Sequence, residues 1–348
     1  MKTASRMQRT WVALLLVTIF TFAGATAAFC EVQASNFGSS LHKTGAGQKY
    51  WYDAKDGLKQ ITGIPYSKLD CGNCHVKACK TCHTKSIKAA DTRDVNTCLN
   101  CHRNQKTAIA MDKAAGMTDV HAESGLICND CHVTDKGDDF HGDAAAHNSL
   151  YDKGAVKAKC TNCHEADQNV RAHKVHGNKI ACIACHAKSS VAFVNNHFDS
   201  YLAGGKREGN MIPAKSWTVL MNNADGQVTA AAAQSFIYKN KKLVVYYPSF
   251  SHSISREAKK CEDCHANEAV KLIKTGKTVP MIKKQGEKMV NWEGIAPLMP
   301  GALYWEFFNK SGDKWVAAPA GPFSVQYVGY GKPLTQKQLA YLKAPFKD

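Results

Sequence analysis

Seven times between residues 71 and 265, two cysteines stand three positions apart with a histidine directly after the second. The sets are Cys71-Cys74-His75, Cys79-Cys82-His83, Cys98-Cys101-His102, Cys128-Cys131-His132, Cys160-Cys163-His164, Cys182-Cys185-His186 and Cys261-Cys264-His265. At this spacing two thiols form thioethers with the two vinyl groups of one haem, and the next residue, histidine, lies under the iron as axial ligand. Zinc sites and redox dithiols also use Cys-x-x-Cys. Zinc needs two pairs per ion, so seven pairs leave one over, and neither alternative requires histidine at a fixed offset. With 15 histidines in 348 residues, a histidine after every pair is no accident of composition.

The pattern resembles the multihaem c-type cytochromes. The resemblance runs from about His42 to His265, and the last 83 residues add little to it. It implies seven covalently bound haem c groups and an electron carrier of the periplasm or cell surface, with haem attached outside the cytoplasm.

The sixth position on each iron separates a low-spin carrier from an open catalytic site. Beyond the motifs, eight histidines remain: His42, His121, His141, His147, His173, His176, His197 and His252. Seven irons need seven second ligands, so the supply suffices with one to spare. Histidine is absent after His265, where the motifs also end. All eight are candidate axial ligands, although which serves which iron is not legible. Met111, Met117, Met211 and Met221 are alternative ligands that would raise the potential, with packing as their expected role.

The chain opens with Lys2, Arg6 and Arg9, an apolar run from Trp11 to Ala23, and the small residues GATAA. That is a secretory leader, with cleavage expected after Ala27, Ala28 or Ala34. The run is marginal for a membrane anchor and lacks a basic stop-transfer flank. Bulky Phe29 before Cys30 argues against a lipid anchor, and no twin arginine is present. The formal charge is +16, and removing residues 1–34 leaves +14. Two propionates on each of seven haems would cancel about that much. The basic excess therefore does not call for nucleic acid, and the expected partners are redox proteins, including a membrane-associated one.

The elements that position these residues are short. Six motifs fall within the 116 residues from Cys71 to His186, too few to build an ordinary hydrocarbon core. The expected fold is mostly irregular chain with short α-helices wrapped around a covalent haem array, plus a small β insertion and a mixed C-terminal segment. The expected divisions are a leader (1–34), a six-haem region (35–198), a β-hairpin insertion with the seventh motif (199–265) and a motif-free segment (266–348). In the insertion, "KSWTVLMNNADGQVTA" and "SFIYKNKKLVVYYPSF" read as strand–turn–strand, with turns at Asp225-Gly226 and Asn240-Lys241. Farther on, "ANEAVKLIKTGK" reads as a helix and "ALYWEFFNKSGDKWVAAP" as a hairpin. "LTQKQLAYLK" carries a Thr335/Gln338 capping box. Trp292, Trp305, Phe307 and Trp315 are expected in a core.

The expected function is electron relay through closely spaced, mostly bis-histidine haems. His75 and Cys79 are four residues apart, within about 14 Å even when fully extended, so the first two haems would nearly touch. One alternative is a multihaem reductase of small nitrogen or sulfur oxyanions, with one open iron and a spare histidine beside it. Another is a subunit of an extracellular cytochrome filament, in which His42 would pass to a neighbouring copy.

Overall fold

The computed structural model describes residues 37–70, 76, 78–85, 92–132, 140–141, 147–188, 190–202, 212–312, 314–319 and 321–344. The leader and the first motif, Cys71-Cys74-His75, lie outside the described residues.

Described residues before 190 form short α- and 3-10 helices joined by turns, the longest being Arg103–Ala114. From residue 190 the chain is mainly strand. The strands are β1 (Ser190–Val194), β2 (Asn196–His197), β3 (Ile212–Asn222), β4 (Val228–Tyr238), β5 (Lys241–Pro248), β6 (Val279–Gln285), β7 (Lys288–Asn291), β8 (Gly294–Pro297), β9 (Leu303–Trp305), β10 (Phe308–Ser311), β11 (Lys314–Ala317) and β12 (Ser324–Tyr327). Seven of them make one mixed sheet in the order β1-β3-β4-β5-β12, with β2 also on β4 and β8 also on β3.

This sheet corrects the expected fold. The chain is not mostly irregular structure around a haem array with a small β insertion: the insertion supplies the centre of a seven-stranded sheet with a hydrocarbon core of its own. The hairpins β3–β4 and β4–β5 turn where Asp225-Gly226 and Asn240-Lys241 suggest. The extent of the sheet comes from distant, parallel additions. β8 pairs with β3 and β12 pairs with β5, both parallel, so strands on both sides of residue 265 share one sheet. Such pairings leave no local turn signal in the sequence.

The central strands are buried on both faces, as a sheet covered on both sides requires. Val244 and Tyr246 enter a core with Trp217, Val219, Met221, Trp305 and Phe308. The alternating Leu243 and Val245 face the other way and meet Tyr52, Ile61, Leu69 and Phe198, so the N-terminal helices Ala46–Asp53 and Leu58–Thr62 cover that side. Trp305 stands at the centre of the first core. Its indole Nε1 donates to Tyr246 Oη at 2.8 Å, and its ring meets Trp217 edge-on. A third cluster seats helix Gln336–Lys343 through Leu339, together with Leu220 and Ala184 of the sixth motif. The Thr335/Gln338 capping box starts that helix.

The motif region has a different interior. Between residues 78 and 183, Ala155 is the only apolar side chain buried among the described residues.

Candidate metal centres

Positions i, i+3 and i+4 of a helix share one face, and each described motif uses that geometry. The first cysteine of five motifs accepts a backbone hydrogen bond from its histidine: His83 to Cys79 (2.9 Å), His102 to Cys98 (3.0 Å), His132 to Cys128 (2.8 Å), His164 to Cys160 (2.9 Å) and His265 to Cys261 (2.8 Å). The sixth motif is itself the helix Cys182–His186. One turn of helix thus points two thiols and an imidazole the same way, which is what a haem held at three points needs.

Each described motif histidine has a second histidine nearby from elsewhere in the chain. His102 meets His42 with ring centroids 6.1 Å apart, His83 meets His141 at 6.2 Å, and His164 meets His121 at 5.9 Å. His186 meets His173 at 6.4 Å, and His265 meets His176 at 6.3 Å. His132 and His252 lie within electrostatic reach of each other. Metal–imidazole bonds of about 2 Å on either side, plus the ring radii, place two axial imidazoles about 6 Å apart, so the spacing fits one metal between each of the five pairs with a ring distance, while His252 is within electrostatic reach of both His132 and His102. Six of the eight spare histidines are placed in this way.

The ring orientations fit as well. A ligating histidine usually donates its second ring N–H to a carbonyl or carboxylate, which fixes the tautomer. His186 Nδ1 reaches Ser255 O at 3.0 Å, His265 Nδ1 reaches Tyr341 O at 3.1 Å, and His173 Nδ1 reaches Asp167 O at 2.9 Å. His121 Nδ1 lies 3.3 Å from Asp119 Oδ1, and the Gln105 amide lies 3.3 Å from His252 Nδ1. For the first four, Nδ1 is committed and Nε2 is left to bind. Burial holds His102, His141, His176 and His252 below the ordinary imidazole range, which favours the neutral, ligating form.

His197 is set apart. Its Nε2 bonds the Phe308 carbonyl at 2.8 Å, an oxygen that also accepts from Asn195 Nδ2 at 3.0 Å. The ring nitrogen most suited to a metal is spent on pinning β2 to β10, so the expectation of a ligand at this position is not met by its surroundings. His147 is described, and His75 lies outside the described residues. Met111, Met117 and Met221 are described; Met221 is wholly buried in the sheet core, and Met211 lies outside the described residues.

The cysteines fit covalent attachment better than thiolate chemistry. None of the twelve described cysteines is in a disulfide, and Cys79, Cys101, Cys131, Cys160, Cys163 and Cys182 are exposed. Cysteine is ordinarily among the most buried side chains. Burial pushes the thiols of Cys82 and Cys185 up, and that of Cys264 up to about 12. Redox dithiols and zinc thiolates need the opposite shift. Only Cys128 is pushed down, to about 6, chiefly by a hydrogen bond with Cys98. Among the described residues no group of three or more His, Cys, Asp or Glu side chains could hold a bare metal ion. A haem iron asks for two.

Electrostatic interactions between motifs indicate their order in space. Cys98 is hydrogen-bonded to Cys128 and Cys160 to Cys182, while Cys82 lies within electrostatic reach of Cys101, Cys131 of Cys163, and Cys185 of Cys261 and Cys264. The second to seventh motifs therefore follow one another in chain order.

A strap of chain, residues 252–265, ties the later motifs together. Ile254 N donates to Asp119 Oδ2 (2.8 Å) and Ile254 O accepts from Val120 N (3.0 Å). Ser255 N donates to His186 O (2.8 Å), and Lys259 N donates to Cys185 O (2.9 Å). Sequence reasoning missed Asp119, Asp167, Ser255 and Tyr341 as supports. Three of these act through backbone carbonyls, which no side-chain pattern reports. Asp119, two residues before His121, was the one with a readable signal.

Comparison with family models, curated proteins and solved structures finds no match for this chain.

Proposed function

We propose that the chain is a heptahaem c-type cytochrome that relays electrons between redox partners. The observation that carries this reading is the set of five motif histidines, each facing a non-motif histidine at 5.9–6.4 Å. The fourteen motif cysteines would hold the haems by thioether bonds. The axial pairs would be His83/His141, His102/His42, His132/His252, His164/His121, His186/His173 and His265/His176. Bound haem supplies reversible one-electron chemistry at iron.

The chain's part is positional. Nδ1 hydrogen bonds fix the imidazoles, paired histidines leave no coordination site for substrate, and neighbouring motifs in contact keep successive carriers close. The oxyanion-reductase alternative wanted a spare histidine beside an open iron, whereas His197 is bound to a backbone carbonyl in the sheet. The filament alternative wanted His42 free for a neighbour, whereas His42 faces His102 of its own chain. Export to the periplasm or cell surface belongs to the same proposal, on the strength of the N-terminal leader. Among the described residues no helix is long and apolar enough to cross a membrane.

The test is intact-protein mass and a pyridine haemochrome assay, followed by electron paramagnetic resonance of the oxidised protein normalised to total iron. The expected result is seven covalent haems, all low-spin. Fewer attached haems would overturn the cofactor reading, and a high-spin iron in about one part of seven would favour the reductase.

A further inference from the structure

A lysine is fixed between the sixth and seventh motifs. Lys259 lies near Cys185 of the sixth motif and Cys264 of the seventh. Its backbone N–H bonds Cys185 O at 2.9 Å. Its Nζ donates to Ala184 O at 3.3 Å and also to Ala187 O. The ammonium is thus aimed at the C-terminal end of helix Cys182–His186, where the exposed carbonyls favour a cation. The other charged groups within reach are Asp263 and Lys188. Most lysines among the described residues are exposed, and charge in solvent is screened within about 10 Å. Burial pushes the Lys259 ammonium down from the ordinary lysine range, which marks how far it is removed from water.

We propose that Lys259 is a potential-setting charge held between the sixth and seventh metal centres, and that it makes this end of the relay the electron-accepting end. The proposal rests on the haem reading above. Reduction adds one electron, and so one negative charge, to each centre, and no bond to Lys259 forms or breaks. A fixed positive charge in a medium of low dielectric stabilises the reduced state, and so raises the potential of the centres beside it. The second to fifth motifs lie farther along the chain of contacts and receive less of this field.

The experiment is a spectroelectrochemical titration of the holoprotein and of two variants. Lys259→Gln keeps a hydrogen-bond donor for Ala184 and Ala187 but removes the charge, and Lys259→Arg keeps the charge. Haem content and intact mass are measured first on the wild-type protein. Without seven haems the reading of function fails, whatever Lys259 does. With seven, the expected result for Lys259→Gln is that two redox components move to lower potential while the other five hold, and Lys259→Arg restores them. Unmoved components would overturn the proposal. So would a shift shared by all seven, or an equal shift in Lys259→Arg, because these would mark Lys259 as a purely structural tie.

Discussion

Two halves of this molecule solve the problem of folding in different ways. From residue 190 onward, strands bury Trp217, Phe308, Met221, Ile237 and Leu243 almost completely, and hydrocarbon holds the half together. Between 78 and 183 the described residues bury a single apolar side chain, Ala155, and their order is written in paired histidines, helix turns and caps such as Asp94 and Asp119. The difference teaches where each half draws its stability. The sheet contains its own apolar core. The described motif half buries almost no hydrocarbon of its own, and on the proposed reading its cysteines and imidazoles would hold a planar apolar group that completes it.

The largest effect expected from this contrast is in the chain made without haem attachment. Hydrogen exchange read by mass spectrometry should show slow amides in β3, β4 and β5 and unprotected amides through residues 95–176, because core strands open only with large free energies while weakly buried segments open freely. Equal protection in both halves would break the comparison, and equal loss would show that the sheet also needs the cofactors.

A cut into the sheet core tests the same division from the other side. Trp305→Ala removes a buried indole and its hydrogen bond to Tyr246, and the expected cost is about 3–5 kcal/mol. Thermal denaturation should show a large fall in Tm, while the haem absorption bands of the folded holoprotein stay as in the wild type. A change in those bands would mean that the sheet sets the geometry of the metal centres directly.

Histidines in the two halves should respond in opposite ways. His121→Ala takes the partner from His164, so one iron in seven should turn high-spin in the resonance spectrum, with little loss of sheet stability. His197→Ala should leave every iron low-spin and cost about 0.5–1.5 kcal/mol, the net worth of one hydrogen bond, because the Phe308 carbonyl keeps its donor from Asn195. If His197→Ala opens an iron instead, its assignment as a structural tie is wrong.

Legibility followed the same division. The helix-turn geometry of the described motifs was readable, since i, i+3 and i+4 are local. The number of further histidines was readable as a count, but which rings meet was not. His176 meets His265 and His42 meets His102 through folds of chain that no period encodes. In the sheet, the hairpins at Asp225-Gly226 and Asn240-Lys241 were local and legible. The parallel docking of β8 on β3 and β12 on β5 was not, because short strands such as "GIAP" and "SVQY" carry little pattern of their own. The corrected fold comes from those two additions together with β1 on β3 and β2 on β4, which turn a hairpin insertion into a covered sheet.

The smallest effect expected is also the most local. Asp119 accepts from the backbone N–H groups of His121 and Ala122 with Oδ1, and from Ile254 N with Oδ2. The same Oδ1 lies 3.3 Å from His121 Nδ1. A carboxylate at that nitrogen makes the imidazole a stronger donor, which lowers the potential of its centre. His173, His186 and His265 rest on neutral backbone carbonyls. Asp119→Asn keeps a capping side chain but removes the charge. In a redox titration one component should rise, opposite in sign to the fall expected of Lys259→Gln, while the stability of the sheet stays within about 1 kcal/mol. A negative charge at the fifth centre and a positive one between the sixth and seventh would then slope the relay toward the strap that joins the two halves. No movement of any component on Asp119→Asn would leave Asp119 as a helix cap and nothing more.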